Sequence, residues 1–117
     1  MILIGQYDSS YVRRVGIALR LYGLPFEHRP WSVFSDGEKV QAVNPLMRVP
    51  TLVLDDGDIV ADSNSMLDYI DGLVPAENRL LPQTEPERRR ALRIMTFATG
   101  FADKGVSLFY ELHLHET

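Results

Sequence analysis

The chain has 117 residues, room for one domain or for one domain and part of another. Its 45% apolar and 24% charged residues are ordinary for a soluble globular protein, and a net charge of −4 argues against non-specific nucleic-acid binding, which needs a basic surface. Cysteine is absent, which excludes disulfides, thiolate metal sites and dithiol redox chemistry.

Met1 to Gly5 (MILIG) is a continuous apolar run, suited to a central strand buried on both faces. Gln6 to Ser10 (QYDSS) is polar and turn-forming. Tyr11 to Tyr22 has helical spacing, with Val12, Val15, Ala18, Leu19 and Tyr22 on one face and Arg13, Arg14 and Arg20 off it. Gly23 and Pro25 stop that helix. Phe26 to Trp31 (FEHRPW) alternates loosely and predicts a second strand near an edge, limited by Pro30. Ser35-x-x-Glu38 is a capping box, predicting a short helix through about Val43.

Thr51 to Leu54 (TLVL) has the composition of a buried strand, with Pro50 just before it, where no ladder donor is lost. Asp55-Asp56-Gly57-Asp58 signals a hairpin turn, from which Ile59-Val60-Ala61 returns antiparallel. Asp62 and Ser63, both good N-caps, then precede the helical spacing Met66, Leu67, Ile70. The order β-α-β-α-β-β-α predicts a four-stranded mixed α/β sheet with helices on its faces, the first two strands parallel.

Residues 75–83 read as a linker bracketed by Pro75 and Pro82. Thr84-x-x-Glu87 is a second capping box, with Pro86 in the first turn. Apolar positions from Leu92 through Phe97, Phe101, Phe109 and Leu112 continue almost to the end, and Gly100 and Gly105 each weaken this helix by about 1 kcal/mol. A helix this apolar is expected to pack against other helices. The Arg88-Arg89-Arg90 run reads as a solvated helix face, because Glu85, Glu87 and Asp103 flank it.

The stretch Asn44 to Tyr69 resembles the glutathione-binding half of the glutathione S-transferases, whose pattern is NP-x-x-[KR]-VP-x-L, a short strand and turn, then [DE]-S and an amphipathic helix. Asn44, Pro45, Arg48, Val49, Pro50, Leu52, Asp62 and Ser63 fall in register with it. The resemblance implies a thioredoxin-like glutathione-binding domain over residues 1–74, the linker 75–83, and in residues 84–117 the first helix of the family's all-helical domain, cut short after Thr117. It also implies glutathione as co-substrate, a small electrophile, no metal, and a homodimer. Thioredoxins and glutaredoxins share this fold and work through cysteine; here any thiol must come from the ligand.

The resemblance assigns roles residue by residue. YDSSYVRRVGIAL matches the turn and helix of serine-type members, which places Ser9 as the residue that activates the glutathione thiol. A hydroxyl beside a helix N-terminus can donate to a thiolate, and the helix dipole favours the anion. Tyr7 competes, since other branches use a tyrosine near this strand end, and Ser10 stands where relatives often have proline. Plain capping of the helix is the bland alternative for both serines. The Val49–Pro50 bond is expected to be cis, with the Val49 backbone pairing with the cysteinyl backbone of glutathione. Asp62 and Ser63 are expected to hold the γ-glutamyl group, and Arg48 either lies near the glycyl end or is a surface charge.

His113 and His115 stand two apart, which suits no zinc pattern, and His28 is alone in a strand, so no metal site is expected. Trp31 and Phe34 either pack near the second strand or line the ligand cleft. No run approaches the roughly 18 apolar residues that cross a bilayer, and Met1-Ile2-Leu3-Ile4 lacks a basic leader region, so no membrane partner and a cytoplasmic setting are expected. The expected function is glutathione transfer to electrophiles, as in detoxification. The alternatives are a glutathione-dependent isomerase, dehalogenase or peroxidase, or a non-catalytic binding module.

Overall fold

The computed structural model describes residues 1–113. The chain divides into two compact units, Met1–Leu80 and a second from Leu81 onward. The first unit holds strands β1 (Ile2–Ile4), β2 (Glu27–Arg29), β3 (Thr51–Val53) and β4 (Ile59–Ala61), with helices α1 (Ser10–Leu21), α2 (Gly37–Val43) and α3 (Ser63–Asp71). The second holds helix α4 (Glu87–His113).

The four strands form one mixed sheet in the order β2-β1-β3-β4. β1 pairs parallel with β2, Ile4 opposite Arg29, and antiparallel with β3, Ile4 opposite Thr51. β3 pairs antiparallel with β4, Thr51 opposite Ala61. The fold is thus the thioredoxin-like α/β layout. β2 lies on an edge and is shorter than the stretch Phe26 to Trp31, because Pro30 has no N–H to extend the ladder and Trp31 N–H turns back to the Arg29 carbonyl at 2.8 Å.

The core is made where α1 and α3 cover the sheet: Leu3, Val12, Val15, Ala18, Leu19, Leu52, Met66 and Ile70 are all buried. The helical spacing in α1 explains its share, since i, i+3 and i+7 keep one stripe inward. That helix ends as its sequence suggests. Gly23 takes φ 70°, Gly23 N–H donates to the Arg20 carbonyl at 3.1 Å, and Leu24 N–H to the Leu19 carbonyl at 3.0 Å.

The capping box proposed at Ser35 is displaced by one residue. Asp36 is the N-cap of α2 and makes no side-chain capping bond. Its carboxylate instead accepts from Ser32 N–H at 3.0 Å and Ser35 Oγ at 3.2 Å, closing the loop before the helix. Those bonds, the backbone one first, hold the Asp36 carboxyl below its usual pKa.

Residues 75–83 contain a 3-10 turn, Ala76–Asn78, and the two units divide within this segment. Arg79 braces the segment that follows α3, donating from Nε to the Val74 carbonyl at 3.1 Å. Helix α4 runs unbroken through Gly100 and Gly105, and none of its residues is buried; Phe97, Phe101 and Leu112 are among the exposed. Arg89 pairs with Glu85 at 3.6 Å along this exposed surface.

Candidate functional site

The strand register gathers three loops at one end of the sheet. The C-terminal end of β1 (Ile4) lies beside the start of β3 (Thr51), which lies beside the end of β4 (Ala61). The turn carrying Ser9, the Val49–Pro50 pair and the Asp62-Ser63 pair therefore emerge together. Gly5 sets their spacing: a Cβ there would stand 2.4 Å from Val12 Cγ2 and 3.0 Å from Val49 Cβ.

Val49 and Pro50 are joined by a cis peptide bond. The loop before them is built on Asn44, which is 1% exposed. Its Nδ2 donates to Thr51 Oγ1 at 3.0 Å and its Oδ1 accepts from Leu46 N–H at 3.0 Å. Thr51 Oγ1 passes the chain on, donating to the Arg48 carbonyl at 2.8 Å. A buried amide costs stability unless its bonds are made, and here they fold the NPLMRVP segment back onto the start of β3. The Arg48 side chain itself is exposed; its carbonyl is the part the loop uses.

Ser9 is the N-cap of α1. Its Oγ accepts from Val12 N–H at a long 3.4 Å, which leaves its own O–H to donate elsewhere. Ser10 begins the helix and is exposed. Tyr7 is placed quite differently. Its ring stacks on His28 with centroids 4.1 Å apart, and its hydroxyl is buried without a hydrogen-bond partner. That hydroxyl presses on α1 where Gly16 makes room, since a Cβ there would be 2.8 Å from the phenol oxygen. His28 Nε2 donates to the Gly5 carbonyl at 2.6 Å, bracing the same turn.

Asp62 is the N-cap of α3 at φ 81°, a left-handed conformation that is strained for a residue with a Cβ. Its carboxylate accepts from Ser65 N–H at 3.2 Å. Ser63 is 4% exposed, and its Oγ accepts from Arg14 Nη1 at 3.0 Å. The same Nη1 donates to Asn64 Oδ1 at 2.7 Å. Burial lowers the Arg14 pKa, and the Asp62 carboxylate opposes that shift.

Sequence patterning singles out neither contact of Arg14, and it puts Asn44 in the family pattern without assigning it a role. Arg14 looks like one of several arginines off the packed stripe, and nothing local signals a partner 49 residues away. Among the described residues no group of three or more His, Asp or Glu side chains is placed to hold a metal ion, and no helix is long and apolar enough to cross a membrane. His113 sits against Phe109 with ring centroids 4.6 Å apart; His115 lies outside the described residues. Trp31 has Arg29 and Lys39 over its ring at 5.5 and 5.7 Å, and Phe34 is exposed.

Known proteins share this fold. Residues 3–79 match the family model of the glutathione S-transferase N-terminal domain. The chain is 33% identical over 106 residues to the uncharacterised GST-like protein YibF of Escherichia coli K12, covering 91% of this chain and 52% of that protein. It is 35% identical over 100 residues to rat maleylacetoacetate isomerase, covering 81% of this chain and 45% of the relative. The crystal structure of a glutathione transferase family member from Pseudomonas fluorescens Pf-5, with bound glutathione, superposes with a TM-score of 0.86 at 31% identity, covering 98% of this chain and 58% of that one. The chain thus spans about half the length of the curated relatives it matches. With the family model covering most of the sheet and its helices, the chain belongs to the glutathione S-transferase family.

Proposed function

We propose that this chain is the glutathione-binding part of a glutathione transferase, which activates the thiol of glutathione for attack on an electrophilic small molecule. The observation that carries the reading is the convergence of the Ser9 turn, the Val49–Pro50 strand entrance and the Asp62-Ser63 helix start at one end of the sheet. The Pseudomonas fluorescens family member, whose structure holds glutathione, supports the same ligand.

In this reading Ser9 is the catalytic residue. The thiol gives its proton to water, and the Ser9 O–H donates to the resulting thiolate, which the N-terminus of α1 also favours. The thiolate sulfur then forms a bond to the electrophilic carbon, whose displaced electron pair leaves with the leaving group or is protonated after addition. Tyr7 is the weaker candidate because its hydroxyl is enclosed against Gly16. The backbone of Val49 pairs with the cysteinyl segment, with Pro50 shaping that entrance. Ser63 and the first-turn amides of α3 take the γ-glutamyl carboxylate, and Asp62 its ammonium. Arg48, exposed in this loop, is assigned to the glycyl end.

The same reading makes residues 1–74 the ligand-binding domain and α4 the opening helix of the family's all-helical domain, with a homodimer as the working form in the cytoplasm and detoxification as its role. A glutathione-dependent isomerase is the second reading, favoured by the identity to rat maleylacetoacetate isomerase. The test is a calorimetric titration with glutathione, followed by assays with a haloaromatic electrophile and with a cis-dienedioic acid. Binding plus conjugation supports the transferase; binding plus isomerisation alone supports the isomerase. No glutathione binding sinks both.

A further inference from the structure

The parallel ladder between β1 and β2 stops one bond short at the turn that leads to Ser9. Gly5 N–H donates to the Arg29 carbonyl at 2.9 Å, so the next bond of the ladder would run from Trp31 N–H to the Gly5 carbonyl. At Pro30 the chain turns aside, and Trp31 N–H reaches the Arg29 carbonyl instead, at 2.8 Å. The Gly5 carbonyl lacks that ladder donor, and a side chain takes its place: His28 Nε2 lies 2.6 Å away. A carbonyl only accepts, so this nitrogen carries the proton.

What His28 holds is the first peptide of the Ser9 turn. The Gly5 carbonyl belongs to the Gly5–Gln6 peptide, and the Gln6 carbonyl accepts from Ser9 N–H at 3.2 Å. Gly5, at φ 135°, has the backbone freedom of glycine and does not fix that peptide by itself. The His28 ring also stacks on Tyr7, with centroids 4.1 Å and planes 21° apart, so it meets the turn at a second point. Tyr7 in turn abuts Gly16 of α1, the helix that Ser9 caps. A hydroxyl that stabilises an anion is effective only while it is held on target.

We propose that His28 is a positioning residue for thiol activation: its bond to the Gly5 carbonyl, steadied by the stack on Tyr7, holds the turn that aims the Ser9 hydroxyl at the glutathione sulfur. The inference rests on the Ser9 reading above and names what keeps that hydroxyl in place.

The experiment compares the 117-residue chain with His28→Phe, which keeps a stacking ring and removes the donor, and His28→Gln, whose Nε2 keeps a donor at similar reach. Each is saturated with glutathione, and the absorbance of the bound thiolate is followed against pH. Each is also titrated calorimetrically with S-methylglutathione, which has no thiol to ionise. In His28→Phe the thiol midpoint is expected to rise by about one pH unit, a roughly tenfold loss in ionisation. Displacing a donor costs less than the about two to three orders of magnitude expected for deleting one. S-methylglutathione is expected to bind about as tightly as it does to the parent. His28→Gln is expected to recover most of the midpoint, and because glutamine is neutral this assigns the effect to the bond and not to a histidine charge. The midpoint reports liganded molecules alone, so a partly unfolded variant still reports. An unchanged midpoint in His28→Phe overturns the inference. So does a His28→Gln midpoint equal to that of His28→Phe, or a shift matched by an equal loss of S-methylglutathione affinity. A parent that binds neither ligand, or whose bound thiol titrates as in free glutathione, overturns the thiol-activation reading itself, and this assignment with it.

Discussion

Tyr22 and Asp71 join the C-terminal ends of α1 and α3, the phenol donating to the carboxylate at 2.5 Å. Arg14 and Ser63 join the N-terminal ends of the same two helices. Asp71 is 3% exposed and also accepts from Leu80 N–H at 2.9 Å, so this carboxylate anchors the chain leaving α3 as well. Tyr22→Phe should destabilise the first unit by about 1–2 kcal/mol, the lower part of the range for a bond to a charged acceptor, because Tyr22 is partly exposed. Urea unfolding measures this, and glutathione affinity should stay at the parental value.

The same pair predicts an alkaline effect. Burial, and then the Asp71 carboxylate, push the Tyr22 phenol up from 10.0 to about 12. A folded pKa above the unfolded one stabilises fully below pH 10 and is lost as the pH rises through 12. Unfolding midpoints between these limits should therefore fall more steeply in the parent than in Tyr22→Phe. Parallel profiles would remove Tyr22 as the source.

Ser9, Ser10 and Tyr7 should separate cleanly. Ser9→Ala should lower the conjugation rate by about two to three orders of magnitude if its hydroxyl acts as an oxyanion donor does. Ser10→Ala, at an exposed position, should change it little. Tyr7→Phe keeps the stacked ring and removes a buried hydroxyl without a partner, so it should preserve activity and raise stability by about 1 kcal/mol. The readouts are the absorbance of bound thiolate against pH, a model electrophile, and thermal unfolding. Loss of the thiolate signal in Tyr7→Phe, with Ser9→Ala intact, would reverse the assignment.

Asn44→Ala removes the bonds that fold the loop onto β3 and strands Leu46 N–H. It should cost about 1–3 kcal/mol of stability and weaken glutathione binding although it lies off the ligand surface. A stability loss with unchanged affinity would show that the loop can loosen without consequence for the site.

Ser63→Ala combined with Asp62→Ala should weaken glutathione binding by roughly 1–3 kcal/mol, the usual cost of losing bonds to charged groups. Equal affinity in a calorimetric titration would place the γ-glutamyl group elsewhere.

Much of this layout was legible from local chemistry. The apolar MILIG and TLVL runs, the Asp-Gly turn and the Gly23 stop each act within a few residues, and the structure has them where those signals stand. Boundaries moved where a neighbour intervened: Ser35 donates to Asp36 instead of capping, so α2 starts at Gly37. The roles of Arg14 and Asn44 were not legible. Arg14 acts on a residue that only the packing of two helices brings near, and Asn44 is buried by a loop whose closure it causes. Tyr7 and Ser9 could be ranked by motif, but only the enclosure of the phenol against Gly16 gives a physical reason to prefer the serine.

Gly5 carries a different kind of lesson. With φ at 135° and Val12 and Val49 closing on it, the place where the first strand, the first helix and the proline loop meet is defined by an atom that is missing. Scanning the protein by truncation would pass over this position in silence, since there is nothing to cut away. Only enlargement exposes it. A single added methyl must push Val12 into the core or Val49 outward, shifting the proline loop against the Ser9 turn while every side chain that touches the ligand stays chemically the same.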